Sequence, residues 1–448
     1  TINVDDTVAP AISTCPVTRT IEGCNTAAIT GPAYSTTTAT SSETVFENGT
    51  NQGSTSDACG ITSVTYIDVA AGTCPTVVTR KWTVTDACGN TTTCNQTINV
   101  DDTVAPSIAT CAVTRYVEGC STAAITGPAY STTTATSNEG VFENGINQGS
   151  ISDVCGITSV TYVDVATGTC PTVVTRTWTI SDACGNSSSC NQTIILDDLA
   201  APTITACATT RNIEGCSTAD ITGPVYSATA TSSTEAVFEN ATNQGNATDA
   251  CGITDVSYID VAAGSCPIVV TRTWTLTDAC GNMTTCAQTI NVDDTTSPTL
   301  GCPANITIEC TASTEPANTG AHTVSDVCDP SPMVTYADVT TASSTCPQEY
   351  TITRTWTATD ICGNTSSCQQ VITIDDSLAP TITCPDDITI LCTENTLPVN
   401  TGQATTTDNC DTSPSLVYAD MTMALPPSNS YLIHRTWTTT DTCGNVAS

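Results

Sequence analysis

A segment of roughly a hundred residues recurs along this chain of 448 residues. Each copy closes on two consecutive aspartates followed by a proline. The pairs begin at Asp5, Asp101, Asp197 and Asp293, which are 96 residues apart, and at Asp375, 82 residues further on. Repeats of this length are domain-sized units rather than solenoid turns. The chain is therefore predicted to be a string of modules that acts through length, stiffness and surface rather than through one pocket.

The repeat predicts where each module begins and ends. Residues 1–6 match the last strand of a preceding module, and modules 1 to 5 span residues 7–102, 103–198, 199–294, 295–376 and 377–448. Module 5 is expected to lack its last strand. The simplest interpretation is a window cut from a longer array. The alternative is strand exchange, in which the first strand of one chain completes the last module of its neighbour.

Charge excludes one class of partner. Only 9 Lys and Arg stand against 44 Asp and Glu, and the net charge of −35 would repel a phosphate backbone. No nucleic acid partner is therefore expected. No run of about eighteen apolar residues occurs, so we expect no membrane span in this window.

Cysteine usage indicates an oxidising environment. The chain has 28 cysteines, six in each of modules 1 to 4, and no CxxC pair that would suggest zinc. An even number repeated this regularly predicts three disulfides per module and an extracellular location.

Residue patterns predict an all-β fold. Short runs rich in Thr, Val, Ile and Tyr alternate with Gly, Asn, Asp and Pro clusters. In the clearest strand, residues 174–181, the side chains of Val174, Arg176, Trp178 and Ile180 fall on one face. About seven such strands and one Trp per module predict tandem immunoglobulin-like β-sandwich modules in a disulfide-rich, extended string.

A cross-strand ion pair is predicted in every module. Asp164 lies on the strand before Arg176, and the same Tyr-x-Asp and Arg-x-Trp motifs recur in the other modules. Antiparallel pairing would place the Asp carboxylate beside the Arg guanidinium, next to the buried Trp. The alternative is that the Arg stem covers the Trp while its charged head stays in water.

Module 4 carries the motifs of a known family. Its sequence contains CPANIT at 302–307, DVC at 326–328 and TWTATD at 355–360, followed by Gly363, Asn364 and Cys368. These motifs resemble the hyalin repeat, an extracellular immunoglobulin-like module. Together with the DDxxAP linker they resemble repeat arrays of bacterial cell-surface adhesins, including those of gliding bacteria exported by type IX secretion. Modules 1 to 3 depart from the pattern by a longer insert, such as residues 25–58. The resemblance implies adhesion or a stalk without naming a ligand.

Sandwich topology suggests, but does not fix, the disulfide pairing. It favours one pair linking the first and last strands and one pair at each end of the module: Cys15–Cys94, Cys59–Cys88 and Cys24–Cys74. A local pairing of Cys88 with Cys94 remains open, since six cysteines allow fifteen connectivities. Module 5 lacks the fourth cysteine of the pattern, so Cys392 is expected to be a free thiol.

Carboxylates are predicted to converge where modules meet. Each aspartate pair leaves one module and reaches two loops of the next, giving an all-oxygen set that suits calcium better than zinc. The predicted sets are Asp5, Asp6, Asp57, Asp86 and Asn90; Asp101, Asp102, Asp153, Asp182 and Asn186; Asp197, Asp198, Asp249, Asp278 and Asn282; Asp293, Asp294, Asp326, Asp360 and Asn364; and Asp375, Asp376, Asp408, Asp441 and Asn445. Alternatively, these residues are ordinary turn formers.

These observations predict a structural repeat region of a secreted or cell-surface bacterial adhesin or filament. It would act as a stiff stalk with Ca²⁺-bound joints, and its partners would be copies of itself or further modules. The alternatives are a glycan-binding array that recognises surface glycans or a host or substratum, and a strand-exchanged filament subunit. Phe46, Phe142 and Phe238 in the inserts are the best candidates for a contact surface. No enzyme activity is expected, since His322 and His434 have no accompanying nucleophile motif.

Overall fold

The computed structural model describes residues 1, 4–426 and 430–448. The regular secondary structure of the described chain is mostly β-strand, with a few single-turn helices, and the same sheets recur from one sequence repeat to the next. The predicted all-β, disulfide-rich tandem fold is confirmed. Residues 2 and 3 of the predicted N-terminal strand lie outside the described residues. No helix within the described ranges is long and apolar enough to cross a membrane.

Contacts group the chain into two compact units. One unit comprises residues 1–205, 247–255 and 276–284, and the other comprises residues 206–246, 256–275 and 285–448. The predicted module bounds remain a prediction, and "module" below denotes the sequence repeat.

Modules 1 to 3 share one order of elements. Module 1 contains β1 Ala11–Thr14, β2 Arg19–Glu22, β3 Ala39–Ser41, α1 Glu43–Glu47, β4 Ser54–Ser56, β5 Ile61–Ala71, β6 Thr76–Asp86 and β7 Thr91–Asp101. Module 2 contains β8 Ser107–Thr110, β9 Arg115–Glu118, β10 Ala135–Ser137, α2 Glu139–Phe142, β11 Ser150–Ser152, β12 Ile157–Thr167, β13 Thr172–Asp182 and β14 Ser187–Asp197. Module 3 contains β15 Thr203–Ala206, β16 Arg211–Glu214, β17 Thr231–Ser233, α3 Glu235–Phe238, β18 Asn246–Thr248, β19 Ile253–Ala263, β20 Ile268–Asp278 and β21 Met283–Asp293. A 3₁₀ turn follows β2, β9 and β16, at Thr26–Ala28, Thr122–Ala124 and Thr218–Asp220.

Modules 4 and 5 are shorter. Module 4 contains β22 Thr299–Gly301, β23 Ile306–Glu309, α4 Pro316–Thr319, β24 Thr323–Ser325, β25 Met333–Ala342, β26 Tyr350–Thr359 and β27 Thr365–Asp375. Module 5 contains β28 Thr381–Thr383, α5 Pro398–Thr401, β29 Thr405–Thr407, β30 Ser415–Leu425, β31 Ser430–Thr440 and β32 Val446–Ala447.

Two sheets form each of the first two modules. In module 1 the larger sheet has the order β2-β7-β6-β5-β3, with β2 parallel to β7, and β1 pairs with β4 in the smaller sheet. Module 2 repeats this order with β9-β14-β13-β12-β10 and β8-β11. The central strand is therefore β6 in module 1 and β13 in module 2, each hydrogen-bonded on both edges.

Strand alternation builds the core. Along β13 the side chains of Val174, Arg176, Trp178 and Ile180 are buried, as predicted from their period of two. Trp178 lies opposite Cys190 on β14, and the half-buried cysteine packs against the same cluster. The intramodule disulfide is thus part of the core around the Trp, as in other immunoglobulin-like sandwiches.

The predicted Asp–Arg pair is present in every module. Asp164 and Arg176 face each other across β12 and β13, and both side chains are fully buried. The guanidinium donates Nε to Oδ1 at 2.7 Å and Nη2 to Oδ2 at 2.8 Å, and donates further to the carbonyls of Pro128 and Ala129. It also lies 4.3 Å from the centroid of the Tyr162 ring. The alternative with a solvated Arg head is wrong, because these partners satisfy the charge inside the protein.

The inserts of modules 1 to 3 contribute to the core rather than to a contact surface. Phe46, Phe142 and Phe238 are fully buried, and their rings meet the Trp rings edge to face at centroid distances of 5.3, 5.1 and 5.3 Å. The prediction that these phenylalanines form a module-specific surface is wrong. A ring of this size gains more from burial against Trp than from exposure to water.

Without the insert, modules 4 and 5 leave one sheet edge unpaired. In the described residues β25 and β30 are edge strands, whereas β3 and β10 cover the equivalent edge in modules 1 and 2. Tyr336 on β25 is 42% exposed, whereas the equivalent Tyr66 is 5% exposed. The Asp338 side chain that pairs with Arg354 is 30% exposed, so this ion pair is less desolvated than those of modules 1 to 3.

Candidate functional sites at the module joints

Disulfides connect the described chain in two ways. Four bridges lie within modules and link the first strand region to the last strand: Cys15–Cys94, Cys111–Cys190, Cys207–Cys286 and Cys302–Cys368. The predicted Cys15–Cys94 pair is therefore confirmed. The alternative pairing of Cys88 with Cys94 is wrong, because Cys94 is already bridged.

Eight further bridges in the described residues join each module to the next. The pairs are Cys24–Cys155 and Cys74–Cys184; Cys120–Cys251 and Cys170–Cys280; Cys216–Cys328 and Cys266–Cys362; and Cys310–Cys410 and Cys346–Cys443. The predicted pairs Cys59–Cys88 and Cys24–Cys74 are wrong. The physical reason is that Cys24 and Cys74 lie at the end of module 1 that meets module 2, where cysteines of the next repeat are nearest.

The strands bring these cysteines to the joint. Cys24 follows the end of β2, and Cys74 lies in the turn between β5 and β6. On the facing module, Cys155 precedes β12 and Cys184 lies in the turn between β13 and β14. The Cα–Cα distances are 4.9 Å for Cys24–Cys155 and 5.1 Å for Cys74–Cys184. Both fall in the range that a disulfide spans without backbone movement.

Four cysteines are unbridged in the described chain: Cys59, Cys88, Cys384 and Cys392. Cys392 is thus a free thiol, as predicted. Cys59 and Cys88 occupy the positions at which Cys155 and Cys184 of module 2 receive the bridges from module 1. The Cys59 thiol interacts with Asp6, and this hydrogen bond and the carboxylate charge raise the pKa of Cys59 to about 11.

Several predicted metal ligands hold the joint cysteines in place. Asp153 Oδ1 accepts a hydrogen bond from the backbone N–H of Cys155 at 2.7 Å, and Asp182 Oδ1 accepts from the N–H of Cys184 at 2.8 Å. Asp57, Asp249, Asp326 and Asp408 make the same contact with the cysteine two residues later. These aspartates therefore act as turn formers in their loops, which is the alternative to metal binding that the sequence left open.

Asn186 links the two sides of the joint. Its amide nitrogen donates to the backbone carbonyl of Asp102 at 2.7 Å and to Asp182 Oδ2 at 2.9 Å. Asn90, Asn282, Asn364 and Asn445 make the equivalent bond to the second aspartate of their linker. In this orientation the amide nitrogen, not the predicted oxygen ligand, faces the carboxylate. Burial opposes ionisation of Asp182, but the hydrogen bonds from Asn186 and the loop backbone outweigh it and lower its pKa.

The second aspartate of each linker pair is the buried one. Asp102, Asp198, Asp294 and Asp376 are 3 to 5% exposed, and each has a buried carboxylate oxygen, Oδ2, without a hydrogen-bond partner. At Asp102, burial raises the pKa, and Glu22 and the charges of Asp153 and Asp182 add to the effect. The charges of both loops therefore act on the linker carboxylate of Asp102, and the assignment of these residues as a metal site stays a prediction.

The first aspartate of the pair lies elsewhere. Asp101 Oδ1 is 3.8 Å from Cys74 Sγ, beside the Cys74–Cys184 bridge, and Asp197 and Asp293 have equivalent positions at 3.7 Å from Cys170 and Cys266. Successive residues of a strand point to opposite sides, and this separates Asp101 from the buried oxygen of Asp102. Cys74, Asp101 and Cys184 lie close enough together to hold a metal ion. The two sulfurs form a disulfide, however, so they are not the thiolates that bind metals.

Glutamates that the sequence interpretation missed complete the joint. Glu22 accepts hydrogen bonds from the backbone N–H and the hydroxyl of Thr103 at 3.0 and 2.7 Å. In the next two joints, Glu118 accepts a hydrogen bond from the backbone N–H of Leu199, and Glu214 accepts one from the backbone N–H of Thr295. Leu199 and Thr295 are the linker residues equivalent to Thr103. The sequence signal that could have identified these glutamates is the Glu-Gly-Cys motif, which recurs at residues 22–24, 118–120 and 214–216.

Among the described residues, the joint between modules 4 and 5 has the most buried carboxylate oxygens without a hydrogen-bond partner. Both oxygens of Asp376 are buried without a partner, and Asp408 also has an unpartnered buried oxygen. Burial and the charges of Asp408, Asp441 and Glu309 raise the pKa of Asp376 to about 6. Buried carboxylate oxygens with free lone pairs fit a hard cation such as Ca²⁺, which prefers oxygen ligands in irregular geometry. The ligand assignment itself stays a prediction.

Comparisons with known proteins do not assign a family. The chain matches no protein-family model. No curated protein matches it in sequence. The resemblance to the hyalin repeat and to gliding-bacteria adhesins therefore remains a prediction.

Among solved structures, the chain resembles cadherin ectodomains only weakly. For protocadherin gammaB7 EC3-6 the identity is 10%, with 82% of this chain and 100% of that chain covered, at a TM-score of 0.28. Drosophila N-cadherin EC1-4 is 10% identical, with 67% of this chain and 84% of that chain covered, at a TM-score of 0.20. The human desmocollin-1 ectodomain is 11% identical, with 83% of this chain and 84% of that chain covered, at a TM-score of 0.18. At these TM-scores no property of the cadherins carries over to this chain.

The raised pKa of Asp376 makes the stability of its joint depend on pH. Because the folded pKa of about 6 exceeds the ordinary value of 3.8, the folded state holds the extra proton, and stability falls as the pH rises between these values. In chelator, hydrogen exchange of residues 372–383 is expected to be faster at pH 7.5 than at pH 5 after correction for intrinsic rates. Asp376→Asn should remove the difference, and Asp375→Asn should retain it. Equal exchange of the unsubstituted protein at both pH values would contradict the prediction.

Proposed function

We propose that this chain is a stiff spacer in a secreted or cell-surface adhesion protein. A bacterial adhesin stalk, as the hyalin-repeat resemblance implies, is the specific form of the proposal. The role is structural rather than catalytic, and further modules or copies of the chain are its partners. Twelve disulfides within the described residues support an extracellular location, because such bonds persist in oxidising compartments.

The pair of disulfides at each joint is the observation that carries this proposal. Between modules 1 and 2 there are three covalent connections: the linker, Cys24–Cys155 and Cys74–Cys184. A single linker permits hinge motion, and relative domain motion is the ordinary expectation for modules with small interfaces. Two additional covalent links oppose both bending and rotation about the linker. The joint is therefore held by bonds that chelation does not break.

Calcium has a secondary role in this proposal. The carboxylates of Asp102, Asp294 and Asp376 are buried, and the charges of nearby carboxylates oppose their ionisation. A bound divalent cation would neutralise that repulsion. It would stabilise the joint without being needed to fix its angle.

Spin-label distances test whether the disulfides stiffen the joint. Labels on unnatural amino acids would replace Val69 and Val165, which are exposed at 66% and 61% on equivalent strands of modules 1 and 2. The distance distribution between them is expected to be narrow, with and without chelator. Replacing Cys24, Cys74, Cys155 and Cys184 by Ser should broaden it at least twofold. The matched control, Cys111→Ser with Cys190→Ser, removes a bridge within module 2 and should leave it narrow. A distribution that broadens with chelator alone would contradict the proposal.

Titration calorimetry tests the cation site. Extracellular modules bind Ca²⁺ with dissociation constants of roughly 10⁻⁴ to 10⁻³ M, and uptake in this range is expected. Asp102→Asn should reduce the uptake by one equivalent, because its buried oxygen lies in the carboxylate cluster. Asp101→Asn is the matched control and should not change it, because Asp101 lies beside the Cys74–Cys184 bridge. Absence of uptake at millimolar Ca²⁺, or an equal loss in both variants, would refute a site at Asp102.

A further inference from the structure

The disulfides across the joints connect the central strands of successive modules end to end. β6, β13, β20 and β26 each have one cysteine shortly before the strand and one shortly after it: Cys74 and Cys88, Cys170 and Cys184, Cys266 and Cys280, and Cys346 and Cys362. The bridges Cys74–Cys184, Cys170–Cys280 and Cys266–Cys362 join the start of one such strand to the end of the next. Cys346–Cys443 then continues the series to module 5.

We propose that the joint bridges and the strands between them form a covalent spine that limits how far the array can extend under tension. The proposal deepens the spacer role, since it concerns load rather than joint angle. A pulling force follows the shortest covalent path between the two points at which it acts. Here that path bypasses most of every module.

The shortest path can be followed bond by bond. From residue 1 it runs to Cys24, crosses to Cys155 and follows β12 to Cys170. It then crosses to Cys280, follows β20 back to Cys266 and crosses to Cys362. Finally it follows β26 back to Cys346 and crosses to Cys443. It contains about 80 of the 448 residues. The remaining residues cannot be drawn out while the bridges are intact.

The path segments in modules 2, 3 and 4 consist mainly of the extended strands β12, β20 and β26. A strand rises about 3.3 Å per residue, and a fully stretched chain reaches at most about 3.6 Å per residue. The strand portions can therefore lengthen by only about a tenth. Their lateral hydrogen bonds and the buried Trp and Arg side chains hold each strand in place, but the limit on length is set by covalent bonds and does not depend on the fold.

The paired bridges also make the spine redundant. If the Cys170–Cys280 bond breaks, Cys120–Cys251 still crosses the same joint. The bridge within module 2, Cys111–Cys190, gives a further short route between its two ends. Loss of one sulfur bond would therefore release little chain.

Single-molecule force spectroscopy of the full chain, held at its two ends, tests the spine. At about 3.5 Å per residue plus the bridges, the oxidised chain should reach a contour length of about 280 Å, and the fully reduced chain about 1,600 Å. The four bridges within modules can be removed by replacing Cys15, Cys94, Cys111, Cys190, Cys207, Cys286, Cys302 and Cys368 by Ser. That variant should still stop at about 280 Å, even if its modules unfold, because the path does not use those bonds.

A second variant controls for the joints. In the background without intramodule bridges, replacing Cys120, Cys170, Cys251 and Cys280 by Ser forces the path through about 30 more residues, so the contour length should rise by about 110 Å. An oxidised chain that extends to about 500 Å would indicate bridges confined to modules and would overturn the spine. So would a variant without intramodule bridges that extends several hundred ångströms beyond the parent. Neither result depends on joint angles, so the stiffness tested by spin labels can fail or succeed separately.

Discussion

The covalent closure of each joint by two disulfides is the constraint on which the rest of this structure depends. At the joint of modules 1 and 2, the charges of Asp102, Asp153 and Asp182 repel one another in a partly desolvated place. With a net charge of −35, the chain offers few cations to offset that repulsion. Bridges such as Cys24–Cys155 keep the ends together against it. A disulfide typically contributes about 2 to 4 kcal/mol by restricting the unfolded chain.

Two of these carboxylates, those of Asp153 and Asp182, also stabilise the joint, because each accepts hydrogen bonds from the backbone of a loop that carries a joint cysteine. Asp153 and Asp182 accept the N–H groups of Cys155 and Cys184, and Asn186 ties the second loop to the linker carbonyl of Asp102. The joint is thus a hydrogen-bonded acidic cluster between two sulfur bonds. The buried carboxylate oxygen of Asp102 that has no hydrogen-bond partner is where a cation or a proton would bind.

Much of the module was predictable from sequence because the signals are local. The period of two around Trp178 identified the core face, and the recurring Tyr-x-Asp and Arg-x-Trp motifs identified the ion pair of Asp164 with Arg176. The role of Phe142 was not predictable from a Phe-Glu-Asn motif alone. Whether an insert packs inward depends on the space beside Trp178, which sequence periodicity does not report.

The pairing of the joint cysteines could not be read from the repeat itself. Cys59 and Cys155 are 96 residues apart and occupy the same position in successive modules, so a periodic pattern cannot distinguish them as partners of Cys24. One signal was available: module 5 lacks the fourth cysteine yet keeps Cys443, which fits a partner in module 4. Strand alternation could likewise have separated Asp101 from Asp102 as ligand candidates.

Disulfide mapping of the unreduced protein by mass spectrometry tests the central claim most directly. The account predicts peptides that link Cys24 to Cys155 and Cys74 to Cys184, with Cys59 and Cys88 recovered as thiols. Recovery of Cys24–Cys74 and Cys59–Cys88 would contradict it, because every bridge would then lie within a module and the joints would be held by the linker alone.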